Sequence, residues 1–132
     1  MAITKPKLDK RLIGTWRSDR ALTLKWWTFP PNVTPAKRAR FGRLFGKLTF
    51  RITKDRIYGT FDDSKWTNTY VILAADSDSV VLGITPITRE GKKLIGKERE
   101  SKIWYIRFHS KDCFCIFAPG NLEYFRKLKV YR

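Results

Sequence analysis

Few residues in this chain have the side-chain chemistry of an active site. The sequence holds one histidine, His109, and two cysteines, Cys113 and Cys115. The cysteines stand two apart, so in a strand they share a face and are too close in sequence for an ordinary disulfide. They read as reduced, small core residues of a reducing compartment. A zinc site would have to draw on these three side chains, and their spacing lacks the usual ligand pattern. His109 shares a strand face with Tyr105 and Arg107, a face that points outward in the simplest reading. Asp62 and Asp63 are adjacent, so in an extended chain they diverge, and neither has a histidine nearby for general acid–base work. The chain has no Gly-x-Ser-x-Gly, no phosphate-binding loop and no dinucleotide fingerprint. The first expectation is a non-enzymatic protein without a metal or cofactor, and an enzyme working in an interior cavity is the weaker alternative.

Aromatic rings and cations are far more plentiful. Five Trp and nine Phe contribute to an aromatic content of 14%, enough with Ile, Val and Leu to fill a core and exclude wholesale disorder. Lys and Arg number 28 against 12 Asp and Glu, a formal net charge of +16. A field of that sign attracts polyanions and anionic surfaces, and bears on partners rather than on fold. Lys37, Arg38, Arg40 and Arg43 form one basic group. Arg89, Lys92, Lys93, Lys97, Arg99 and Lys102 form a second. A charge run is commonly a solvated face. The alternative is a phosphate-binding surface of salt-dependent, sequence-independent affinity. No sequence signature of a nucleic-acid module accompanies them.

The elements that must position these groups are mostly strands. At 132 residues the chain is the size of one domain. Residues 1–10 are a loose basic lead-in. Period-two alternation predicts strands over 12–17 and over 22–27. Phe29-Pro30-Pro31-Asn32 breaks the chain. Thr34-Pro35 reads as an N-cap followed by proline at the first helical position, which predicts a single helix over about 35–45, ended by Gly46. Hairpins follow over 47–61, over 66–85 around Asp76-Ser77-Asp78, and over 104–117. Residues 86–100 are a long polar connection, with a strand extension as the alternative, and 122–131 the closing strand. Eight or nine strands joined by tight turns predict an all-β, antiparallel up-and-down barrel with one short helix, since closure removes the sheet edges. Alternation along the last strand puts Arg126 on one face with Tyr124, Leu128 and Val130, and points that face inward. Trp26, Trp27 and Trp66 are core and barrel-mouth residues in the plain reading, and a lining for a flat apolar ligand in the sharper one.

Leu12-Ile13-Gly14-Thr15-Trp16 resembles the Gly-x-Trp signature that opens the first strand of lipocalins and other calycins. The resemblance implies that Trp16 plugs one end of the barrel and that a basic residue of the last strand packs across it. Arg126 is the position that matches. Its guanidinium would stack on the indole, closing the barrel; otherwise it would anchor an anionic ligand head group in the cavity. Small haem-binding barrels exist in that superfamily, but His109 on an outward face does not call for haem. The chain lacks the signal peptide, clear disulfide and long C-terminal helix of secreted lipocalins, which implies a cytoplasmic relative without a membrane span. The first functional expectation is a binding protein whose cavity takes a small, largely apolar and perhaps acidic ligand. Its lining would come from Trp16, Trp26, Phe50, Tyr70, Trp104, Tyr124 and Arg126. The second is a basic barrel that binds nucleic acid or another polyanion through Lys37, Arg38, Arg40, Arg43, Lys92 and Lys93.

Overall fold

The computed structural model describes residues 8–118 and 121–129. Most of the lead-in (1–7), the Pro119-Gly120 part of the last turn and Val130 lie outside the described residues. In chain order the elements are β1 (Gly14–Ser18), α1 (Arg20–Trp26), α2 (Pro35–Gly42), β2 (Thr49–Ile52), β3 (Arg56–Phe61), β4 (Ser64–Ala75), β5 (Ser79–Arg89), β6 (Lys92–Lys93), a 3-10 turn (Gly96–Arg99), β7 (Lys102–Ser110), β8 (Cys113–Ala118) and β9 (Asn121–Lys127). Every strand pairing is antiparallel. Eight of the strands follow one another around a ring that closes where β9 meets β1, with Trp16 opposite Lys127 and Ser18 opposite Phe125. The two-residue β6 folds back on β5 as an extra hairpin. The fold is therefore the antiparallel up-and-down barrel that the period-two hairpins predict.

The alternating residues that face inward form one core. Trp16, Phe50, Ile52, Ile57, Tyr70, Ile72, Val80, Leu82, Ile84, Ile106, Phe114 and Phe125 are all buried in it. Ring contacts run from one end toward the other: Trp16 to Phe114 (4.2 Å), Phe114 to Phe125 (5.5 Å), Phe125 to Phe50 (5.2 Å) and Phe50 to Trp104 (5.1 Å). The lower part of the lumen is thus filled by side chains, as expected for an eight-strand barrel. That lower end is strapped shut. Residues 9–13 form a turn that buries Leu12 completely, and the Leu12 carbonyl accepts from the Trp16 indole N–H at 2.8 Å. Arg11, held by Asp9, reaches across to the Ser77 carbonyl in the β4–β5 turn at 2.9 Å, on the far side of the ring from β1. The end of the lead-in is therefore part of the closure rather than loose.

Two further expectations need correction. The segment around Leu22, Leu24 and Trp26 is not a strand but the helix α1, so the described residues hold two short α-helices. Asp19 caps it, its carboxylate accepting from the Leu22 amide at 3.0 Å. Three apolar residues spaced by two fit a strand face, yet an acidic N-cap followed by Arg-Ala-Leu is also a helix start. The deciding contact is tertiary. The Thr23 hydroxyl, fully buried, accepts the Tyr124 amide at 2.9 Å, so the helix takes over the next donor where the β1–β9 ladder runs out. The helix over 35–45 is present but shorter, ending at Gly42, with Thr34 as N-cap and Pro35 in its first turn. Trp27, Phe41 and Phe45 pack together at 4.9–5.3 Å and tie the end of α1 to α2.

Arg126 is the other correction. It pairs across from Arg17 on the outer face of the barrel, its side chain 59% exposed, and forms an ion pair with Asp19. The residue that crosses Trp16 is its neighbour Lys127, whose ammonium lies 5.6 Å from the ring centroid. Alternation lost its phase in β9 because Tyr124 and Phe125 are both buried, Phe125 in the lumen and Tyr124 outside under α1.

Candidate functional site

The end of the barrel opposite the strap stays open. There the inward positions of three strands contribute Trp66 and Asn68 (β4), Ile84 and Pro86 (β5), Lys102 and Trp104 (β7) to a cavity of about 340 Å³. The β5–β6 hairpin folds over it and adds Leu94, which is buried, its amide bonded to the Ile87 carbonyl at 2.9 Å. The Glu90 amide bonds the Lys65 carbonyl, and the Lys65 amide bonds a Glu90 carboxylate oxygen, so the hairpin is tied to β4.

Each wall of the cavity follows from local sequence. Trp66 sits opposite Gly59, and its ring lies so close that a β-carbon at Gly59 would be 2.2 Å from it. Only glycine leaves room for the indole to lie flat on the neighbouring strand. Trp104 leans on Phe50, the last ring of the core column. Asn68 is 5% exposed and borders the cavity. Arg89 and Lys102 stand exposed at the rim. Two indoles, one amide and two cations around a concave volume can hold a flat apolar body, orient it and neutralise an acid.

On the lumen face of β9, Glu123 accepts from the Ser18 hydroxyl at 2.8 Å. Burial pushes its carboxyl above the ordinary value, against the pull of that hydrogen bond. Tyr70 donates to the Thr53 carbonyl at the closed end, and burial pushes its hydroxyl up to about 12.

Of the residues expected to line a cavity, Trp104 lines this one and Phe50 backs it. Trp16 and Tyr70 belong to the closed half of the core. Trp26, Tyr124 and Arg126 do come together, but on the outside of the barrel, where with Leu22, His109, Ser110 and Cys113 they border a groove of about 450 Å³. His109 Nε2 lies 3.4 Å from the Cys115 sulfur and its ring 5.2 Å from that of Tyr124. Cys113 and Cys115 are free and buried, and burial pushes both thiols up. Among the described residues no cluster of three His, Cys, Asp or Glu side chains is arranged to hold a metal. Lys37, Arg38, Arg40 and Arg43 are exposed on and just after α2, and Lys92 and Lys93 on β6. Both elements lie in connections at the open end of the barrel.

Asn68 is not among the expected site residues, and Lys102 is expected only as one of a basic group, although each carries a signal in the sequence. Each breaks the apolar face of its strand, Asn68 between Trp66 and Tyr70, Lys102 two residues before Trp104. Pro86 and Leu94 carried no such signal, because the hairpin fold brings them to the mouth. Among the described residues no helix is long and apolar enough to cross a membrane. Comparisons with protein-family models, with curated proteins and with solved structures returned no match.

Proposed function

We propose that this protein is a calycin-like binding protein whose barrel mouth takes a small ligand with a flat, largely apolar body and an acidic group. The observation that carries the reading is the cavity of about 340 Å³ with Trp66 and Trp104 as walls and Arg89 and Lys102 at the rim. The volume falls within the roughly 300–1,000 Å³ of small-molecule sites. The calycin assignment draws support from Gly14-Thr15-Trp16 at the first strand and from a cation of the last strand over that indole. The Asn68 carboxamide on the cavity wall would fix the ligand's orientation by hydrogen bonding.

Anilinonaphthalene sulfonate, a flat apolar anion, is a suitable probe. Saturable binding at one site per chain is expected, weakened by Trp104→Phe and by the double variant Arg89→Ala/Lys102→Ala. Trp26→Ala, on the outer groove, should leave it unchanged. Binding without saturation, or binding indifferent to the mouth variants, would reject the proposal. Native mass spectrometry of the purified protein then asks what occupies the site.

A further inference from the structure

We infer that the outer surface beside α1 is a second site, a groove for single-stranded nucleic acid. Two depressions flank the helix and share Arg126. The first, of about 450 Å³, is bordered by Trp26, His109 and Tyr124. The second, of about 330 Å³, is bordered by Arg17, Arg20, Gly46 and Leu128. One path therefore carries three flat rings in one half and three arginines toward the other.

Two features favour nucleic acid over a generic anion. Trp26 is 63% exposed at the end of a helix whose next residue, Trp27, is packed against Phe41 and Phe45. The ring is thus presented to solvent from a fixed backbone, with the Lys25 ammonium 5.3 Å from its centroid. An exposed indole beside a cation is a stacking platform for a base with its phosphate neutralised alongside. The charge balance points the same way. Residues 19–48 hold seven Lys and Arg against one acidic residue, Asp19. That carboxylate does lie in the groove, but it is engaged by the Leu22 amide and by Arg126.

A single strand rather than a duplex fits because stacking needs an unpaired base face, and depressions of this size do not admit a double helix. The site is separate from the barrel mouth: neither depression is bordered by a residue of the mouth cavity.

The test is fluorescence anisotropy with a labelled oligothymidylate of about twelve nucleotides, within the range of site sizes for barrel folds that bind single strands. A duplex of the same length, an oligoglutamate and anionic phosphatidylserine vesicles serve as comparisons. The oligothymidylate should bind more tightly than the oligoglutamate or the duplex and should quench tryptophan emission. Trp26→Ala should weaken it by about 5-fold or more, since stacking one base is worth ~1–3 kcal/mol. The slope of affinity against salt should stay the same. Arg20→Ala should instead lower that slope by about 0.7, one phosphate contact on a single strand. Both positions are exposed, and unchanged thermal unfolding verifies that the variants fold. Equal affinity for duplex, oligoglutamate or vesicles would overturn the proposal in favour of charge alone or a membrane surface. So would full affinity in Trp26→Ala. Loss of the mouth's probe binding in Arg89→Ala/Lys102→Ala is a separate readout, so either site can fail without the other.

Discussion

Lys127 and Trp16 face each other across the seam that closes the barrel, the ammonium 5.6 Å from the indole centroid and the two residues directly paired in the β1–β9 ladder. The seam joins the first strand to the last, so this contact ties together segments more than a hundred residues apart. A partly desolvated cation over tryptophan contributes ~1–2 kcal/mol. Lys127→Ala is therefore expected to lower stability by about that much, and Lys127→Arg to restore most of it. Arg126→Ala, which breaks only the ion pair to Asp19, should cost under about 1 kcal/mol, because such exposed pairs are weak. Urea unfolding of the three variants measures this. A larger loss in Arg126→Ala than in Lys127→Ala would reverse the assignment.

Gly14 explains its own place two residues before Trp16. Its φ is +142°, and a β-carbon there would lie 2.7 Å from Cε of Lys127. The lysine stem crosses Gly14 to reach the indole. Gly14→Ala is expected to cost ~1–3 kcal/mol in backbone strain and to displace Lys127. In the background of Lys127→Ala the clash disappears and the strain stays, so the double variant should lose less than the sum of the singles.

Gly59 does for the mouth what Gly14 does for the closed end. Gly59→Ala pushes into the Trp66 ring at 2.2 Å, an overpacking that costs ~1–3 kcal/mol. The indole must leave its wall of the cavity. Weaker binding of anilinonaphthalene sulfonate together with a lower unfolding midpoint is expected. A variant that loses stability with probe binding intact would exclude Trp66 from the site.

Thr23→Val keeps the shape of the side chain and removes the acceptor for the buried Tyr124 amide, 2.9 Å away. An unpaired buried donor costs ~1–3 kcal/mol. Hydrogen exchange at the Tyr124 amide should speed up in the variant before global unfolding does. An unchanged exchange rate would show that the helix does not extend the ladder.

Glu123 sets a pH dependence of definite sign. Burial raises its folded-state pKa above the ordinary 4.5, so the native state holds this proton more tightly than the unfolded chain. Stability from the group is complete below that ordinary value and is lost as pH rises through the folded value. Glu123→Gln, which keeps an acceptor for the Ser18 hydroxyl, should match wild type at about pH 4 and exceed it at about pH 7. Asp9 and Asp19 carry the opposite sign. The Arg11 guanidinium holds Asp9 low; burial pushes Asp19 up, but the Leu22 amide and Arg126 outweigh it. Comparing the two proteins at each pH cancels both. A difference that shrinks with rising pH would contradict a buried carboxyl.

The strands were legible because a barrel wall buries one face of each strand, which writes period two directly into residues 47–61, 66–85 and 104–117. Thr34-Pro35 announced α2 in the same local way, and Gly14-Thr15-Trp16 marked the closing strand. What alternation cannot carry is phase where both faces of a strand are covered. In β9 the lumen takes Phe125 while α1 covers Tyr124, so the side of Arg126 depended on a helix packed there from residues a hundred positions away. That helix was itself undecided locally, since Leu22, Leu24 and Trp26 suit either period until Thr23 finds the Tyr124 amide. The mouth is of the same kind. Its two indoles and its cations are visible one by one in the sequence. Only closure of the ring and the fold-back of the β5–β6 hairpin set Trp66, Trp104, Asn68 and Leu94 around one volume, because contacts between distant strands have no signature in the residues of either strand alone.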